Sequence, residues 1–344
     1  MNASKPIATA KGQSYVFPLI IVGVMFFAIG FALGINSYLV PLVRKALAVS
    51  SGESYLIVGA TFSAFLIFGY PASFVIKRIG YKRTMALSFL MFAFGFVLFI
   101  PSARYESLPL FLLASFISGT GNAFLQASVN PYVTILGPLD SAARRMSFMG
   151  IANKLAWPIS PVFLAFVINK NVDDVALTDI NLPFYIIIGV FLLLGVLAFF
   201  SPLPEVKAKG EDSDNVEDAP YAANKTSIWQ FPHFVLGMIT LFLYVGVETI
   251  SLSTLVDYAV SLDLPNADMY AWIAPVGMTI GYICGIIFIP KYLSQSQALL
   301  ISAIVAILGS LLVVFIPAQL SIWFIFLMAL GCALMWPALW PLAM

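Results

Sequence analysis

Glu248 lies in the middle of an apolar run, Tyr244-Val-Gly-Val-Glu248-Thr-Ile-Ser. A lone carboxylate in such a run is either protonated or paired, because desolvation disfavours its charged form. Either state suits a group that takes up and releases a proton. A structural hydrogen bond between helices is the plainer reading of the same residue. Lys154, in Ile-Ala-Asn153-Lys154-Leu-Ala-Trp157, is the one cation inside an apolar run. A buried lysine requires a carboxylate or carbonyl partner. Glu248 and Asp257 are the candidate carboxylates, and snorkelling of Lys154 to the headgroups is the competing reading.

A second set of polar side chains is neutral: Asn36, Ser37, Asn122, Gln126, Asn130 and Asn153. Asn and Gln each carry two donors and a two-lone-pair acceptor. A cluster of them can stand in for water around the hydroxyls of a sugar. Gln126 and Asn130 are spaced i, i+4 on one helix face, and Asn122 is one turn back on that face. Trp157, Trp336 and Trp340 could stack on the apolar face of such a solute, although Trp is also common at membrane interfaces. No His pair, Cys pair or close group of carboxylates offers hydrolytic or redox chemistry, so an enzyme is not expected. His233 is the single histidine, and Cys284 and Cys332 both sit in apolar stretches. No metal site, no cofactor and no disulfide framework is therefore expected.

The elements that carry these residues are set by composition. The 344 residues are 61% hydrophobic and 10% charged, with mean hydropathy +0.98. A soluble domain is about 45–50% apolar and about 25% charged. Segments facing lipid account for the difference, and the bilayer is the first expected partner. The net charge of +1 gives no basic balance for nucleic acid.

Ten apolar runs read as membrane spans of about 20 residues: Val16–Val40, Tyr55–Ile76, Met85–Ile100, Leu108–Ile135, Ser147–Ile168, Phe184–Phe200, Phe234–Val260, Tyr270–Ile289, Ala298–Phe315 and Ser321–Ala343. The first is too long for a signal-peptide core. With a cytoplasmic N-terminus, twelve of the 17 Lys and Arg residues fall on the cytoplasmic side and four on the other, leaving Lys154 within a span. The positive-inside rule favours that orientation. Lys77-Arg78-Ile-Gly80-Tyr-Lys82-Arg83 is a cation-flanked turn on the cytoplasmic side.

Residues 201–230 are long, polar and charged, and read as a cytoplasmic linker. They separate a six-span half, 1–200, from a second set of four spans, 231–344. Gly121, Ala123 and Pro131 recur at identical offsets as Gly331, Ala333 and Pro341, and Gly34-Ile-Asn36 parallels Gly246-Val-Glu248. Those pairs are the ones that duplication of a six-helix unit requires. Duplication in turn predicts two further helices, so the chain reads as C-terminally truncated from twelve.

Gln126-Ala-Ser-Val-Asn130-Pro131-Tyr-Val-Thr-Ile-Leu-Gly137-Pro138 resembles span four of the fucose–galactose–proton symporter family, within the major facilitator superfamily. Arg78-Ile-Gly-Tyr-Lys-Arg83, Arg145-Met-Ser-Phe-Met-Gly-Ile-Ala-Asn153 and Tyr244-Val-Gly-Val-Glu248 resemble other stretches of that family, in order. The resemblance covers nearly the whole chain. It implies an all-α membrane protein with the major facilitator fold, alternating access and proton-coupled hexose or 6-deoxyhexose uptake. Fucose permeases carry an Asn-Asp pair in span one, where this chain has Asn36-Ser37, and a carboxylate where it has Gln126. Asn153 matches the family's span-five Asn, but Lys154 replaces a small residue and Gly150 replaces a glutamine. Proton coupling is thereby displaced onto Glu248, opposed by Lys154.

The expected protein is a monomeric, multi-pass symporter of the bacterial inner membrane. Its solute is a neutral monosaccharide or amino sugar, held by Asn36, Ser37, Asn122, Gln126, Asn130, Asn153 and Trp336. A facilitative uniporter and a non-transporting membrane sugar sensor remain open as alternatives.

Overall fold

A backbone surrounded by hydrocarbon must satisfy its own hydrogen bonds, and a long apolar run does so as a helix. The computed structural model describes residues 16–170, 175–204 and 225–343. These form α1 (Val16–Ala46), α2 (Ser51–Arg104), α3 (Leu108–Ile135), α4 (Ala142–Ile168), α5 (Asn181–Phe200), α6 (Pro232–Ser261), α7 (Ile273–Phe288), α8 (Gln295–Phe315), α9 (Ala318–Ala333) and α10 (Met335–Ala343). Among the described residues nine helical segments are long and apolar enough to cross a membrane, with α9 and α10 forming one of them. Most of the charged segment 201–230, expected as a linker, lies outside the described residues.

The sequence separates Tyr55–Ile76 from Met85–Ile100, whereas helical structure continues through both as the 54-residue α2. At about 1.5 Å per residue a straight helix of that length would far exceed a hydrocarbon core of about 30 Å. It is not straight. Gly80 has φ 82° and ψ 169°, which divides α2 into two arms. A side chain would be strained at that φ, so the glycine carries the bend. The start of α2 is fixed by a capping box: Ser50 Oγ accepts from Glu53 N–H at 3.2 Å, and Ser50 N–H donates to Glu53 Oε2 at 2.8 Å.

The last expected span, Ser321–Ala343, begins earlier and is interrupted at Leu334. Pro337 has no N–H to offer the carbonyl of Ala333, so the ladder breaks there. Arg145, one of the cations counted to the cytoplasmic side, is drawn back onto the end of a neighbouring helix. It is 4% exposed and donates to the carbonyls of Val133 (3.2 Å), Thr134 (3.0 Å) and Pro138 (2.7 Å) and to Ser141 Oγ (2.7 Å). The guanidinium caps carbonyls at the C-terminus of α3, where the helix dipole favours a cation.

The chain forms two compact units. One comprises residues 24–130 and 156–205. Its core is aromatic, with Phe92 stacked on Phe191 at 5.0 Å and Phe184 edge-on to Phe96 and Phe99 at 5.3 Å each. Such pairs contribute about 0.5–1.5 kcal/mol beyond buried area. Helix association in lipid depends on close backbone approach, which small residues permit. A Cβ on Gly95 would stand 2.5 Å from Ser118 N, and one on Gly121 would stand 2.8 Å from Phe92 N and 2.9 Å from Ser88 O.

The other unit comprises residues 1–23, 131–155 and 206–344. Tyr244, Met278, Tyr282, Ile322, Cys332 and Ala333 belong to its core. A Cβ on Gly309 would stand 2.4 Å from Met328 N, and one on Gly331 would stand 2.3 Å from Ala306 N and 2.8 Å from Ser302 O. These contacts reproduce those of Gly95 and Gly121: the α2 positions recur 214 residues later in α8, and the α3 positions 210 residues later in α9. In the same unit α6 is the least buried of the apolar helices. Its exposed hydroxyls bond to the helix itself, Thr240 to Leu236 O (2.8 Å), Ser251 to Val247 O (2.7 Å) and Thr254 to Ile250 O (2.8 Å).

Candidate functional site

Lys154 on α4 and Glu248 on α6 form an ion pair between Nζ and Oε1, with side chains 11% and 9% exposed. Glu248, one of the two carboxylates the sequence offered to Lys154, is placed against it. Taking two charges out of water costs several kcal/mol per ion, and only close pairing offsets it. Breaking such a pair by removing one partner costs about 3–5 kcal/mol, because the other charge is left buried.

The surroundings of the pair follow from the helix periodicity. Gly150 is four residues before Lys154, so both face the same way from α4. A Cβ on Gly150 would come within 2.5 Å of the ring atoms Cε1 and Cζ of Tyr282. The missing side chain therefore lets the Tyr282 ring from α7 lie directly on α4, one turn from the lysine. Tyr244 is four residues before Glu248 and 4% exposed. Tyr244, Tyr282 and Cys332 are within electrostatic reach of the Glu248 carboxylate, and Cys332 is also within reach of Lys154. Asn153 is half-buried beside Lys154 in the chain, and the half-buried Trp336 packs against the same core.

The amides of α3 lie in the other compact unit. Gln126 Nε2 donates to Asn122 Oδ1 at 2.9 Å. Asn122 and Asn130 are 1% and 2% exposed, and Gln126 is half-buried. The i, i+4 spacing read from the sequence thus becomes an actual hydrogen bond along one helix face. On α1, Asn36 Nδ2 donates to Thr61 Oγ1 at 3.2 Å, and Thr61 Oγ1 donates to the carbonyl of Ile57 at 3.0 Å. Ser37 is in α1, but its side chain is outside the described residues.

Asn36, Thr61, Ser115, Ser118 and Asn122 line a small void together with Phe96 and Phe99. The void has room for about one water molecule. Thr61, Ser115 and Ser118 were not singled out by sequence. Buried Ser and Thr commonly return their hydroxyl to the helix's own carbonyls, so only tertiary contact marks these three. Tyr244 lies one helical turn before Glu248, so the 3.6-residue period alone puts the two on one face of α6.

Three comparisons bear on this arrangement. The family model described as Major Facilitator Superfamily matches residues 22–344. The chain is 30% identical over 351 residues to a glucose/galactose transporter of Brucella abortus, covering 98% of this chain and 82% of that protein. It is 27% identical over 272 residues to the L-fucose-proton symporter of Escherichia coli, covering 73% of this chain and 61% of that one. Its fold superimposes on the crystal structure of the major facilitator transporter FucP in the outward conformation. The TM-score there is 0.78 at 22% identity, over 96% of this chain and 85% of the other. The resemblance read from the runs around Asn130, Arg78, Asn153 and Glu248 is borne out. The helices that hold Glu248, Lys154 and the amides are those of a multi-pass membrane transporter, and the chain belongs to the Major Facilitator Superfamily.

Proposed function

We propose that this chain is a secondary active transporter that carries a neutral monosaccharide together with a proton, by alternating access. The buried Lys154–Glu248 pair carries this reading. A carboxylate in an apolar core is held charged only by its cation, and adding one proton turns it into a neutral acid and releases it from that pair. Glucose/galactose transport and fucose–proton symport in the similar proteins support the solute class and the coupling ion. Hexoses, deoxyhexoses and amino sugars are the solutes to test.

In this reading Glu248 carries the proton and Lys154 holds the carboxylate between turnovers. Asn36, Asn122, Gln126, Asn130 and Asn153 bind solute hydroxyls, together with Ser37, and Trp336 covers an apolar sugar face. The chain is organised as a six-span half over 1–200, a cytoplasmic linker over 201–230 and a half with four spans over 231–344. The bend that divides α2 into two arms supports counting it as two spans, beside eight other apolar helical segments. The recurrence of the Gly95 and Gly121 contacts at Gly309 and Gly331 supports that organisation. The protein acts as a monomer in a bacterial inner membrane, with its N-terminus in the cytoplasm.

Uptake of labelled glucose, galactose and fucose into liposomes under an inward proton gradient tests the reading. Glu248→Gln is expected to abolish gradient-driven accumulation and to retain counterflow without a gradient. Accumulation that survives Glu248→Gln overturns the assignment of the proton to this residue.

A further inference from the structure

Tyr244 and Glu248 are one turn apart on the same face of α6, and both side chains are buried. The Tyr244 hydroxyl is buried without a well-formed hydrogen bond among the described residues, while the Glu248 carboxylate and the Tyr282 hydroxyl both lie within its reach. A buried phenol normally finds an acceptor, and one left without is unfavourable. The acceptor at hand is the carboxylate that faces Lys154.

The other groups facing Glu248 are Lys154 from α4, Tyr282 from α7 and Cys332 from α9. The Tyr282 ring is packed closely against Gly150, which holds it in place. The Cys332 thiol is a weak donor. Tyr244 is on the helix of Glu248 itself, so it keeps its distance to that residue however α4 and α7 are disposed.

Resting on the reading of Glu248 as proton carrier, we propose that Tyr244 is a positioning residue that takes the Glu248 carboxyl group by a hydrogen bond when Lys154 releases it. Glu248 accepts a proton from water and becomes a neutral acid. Its ion pair with Lys154 opens, and the Tyr244 O–H donates to the carbonyl oxygen of the acid. Tyr244 keeps its own proton throughout. The hydroxyl thus stabilises the protonated, unpaired state and leaves the paired state unaffected.

Tyr244→Phe removes the donor and preserves the ring. In liposomes, the protonated state of Glu248 then loses a stabilising partner, so the midpoint of the pH profile for gradient-driven uptake should move at least half a pH unit towards acid. Maximal gradient-driven uptake should fall several-fold, while the KM for counterflow stays within twofold of the parent and thermal unfolding in detergent is little changed. An unmoved midpoint, in a protein whose Glu248→Gln variant has lost coupling, overturns the role of Tyr244 and leaves the carrier assignment intact. Equal loss of stability, counterflow and uptake at an unmoved midpoint reveals a packing role only and also overturns it. Retained coupling in Glu248→Gln removes the carrier assignment itself.

Discussion

The Tyr282 ring rests on Gly150 so closely that a Cβ there would stand 2.5 Å from two of its atoms. The pair joins α7 to α4 one turn from Lys154. Gly150→Ala should therefore expel the ring and destabilise the protein by about 1–3 kcal/mol, the usual cost of overpacking a core. Thermal unfolding in detergent measures the loss. The double variant Gly150→Ala, Tyr282→Leu should recover most of it, since the clash is with the ring.

The Lys154–Glu248 pair makes a second prediction through non-additivity. Lys154→Ala alone leaves a buried carboxylate and should cost about 3–5 kcal/mol unless the acid takes up a proton. Adding Glu248→Gln removes the stranded charge and should restore stability, but not gradient-driven uptake. A double-mutant cycle on unfolding midpoints checks the coupling. Simple addition of the two single losses would contradict a direct pair.

How much of this was legible beforehand depended on whether the cause was local. The apolar runs show themselves without tertiary information, because lipid leaves the backbone no alternative to helix. The bend at Gly80 was readable as a turn, since glycine between cations has a local meaning. Lys154 could be marked as needing a partner, but the choice between Glu248 and Asp257 required the packing of α4 against α6. The burial of Arg145 is not readable from a charge count, which carries no information about carbonyls that curl back around it. The contact of Gly150 with Tyr282 joins residues 132 positions apart, and no periodicity reveals it.

On α3, Gln126→Ala removes the donor to Asn122 Oδ1 and one side chain proposed to hold solute. Each hydrogen bond contributes about 0.5–1.5 kcal/mol, so apparent solute affinity should fall roughly 2- to 10-fold. Counterflow kinetics should show this as a raised KM with little change in maximal rate. An unchanged KM would remove Gln126 from the binding strip.

The glycines of the helix contacts should respond according to what they face. Gly331→Val drives a side chain into the backbone of α8, 2.3 Å from Ala306 N, and should lower folded yield sharply. Gly246 has nothing within 4 Å of where a Cβ would stand. Gly246→Ala should be neutral or stabilise by up to about 1 kcal/mol, the difference in helix propensity. Detergent unfolding of the two variants side by side makes the comparison.

The hydroxyls of Thr240, Ser251 and Thr254 each return their proton to a carbonyl of α6 itself. These three hydroxyl groups therefore offer no proton to whatever lies beside them. No neighbour, acyl chain or protein, is gripped there in a fixed direction. Adhesion at these three hydroxyls is a matter of shape and dispersion alone, so the directional grip on α6 comes from elsewhere on the helix, through Glu248 to Lys154 and Tyr258 to Ser321.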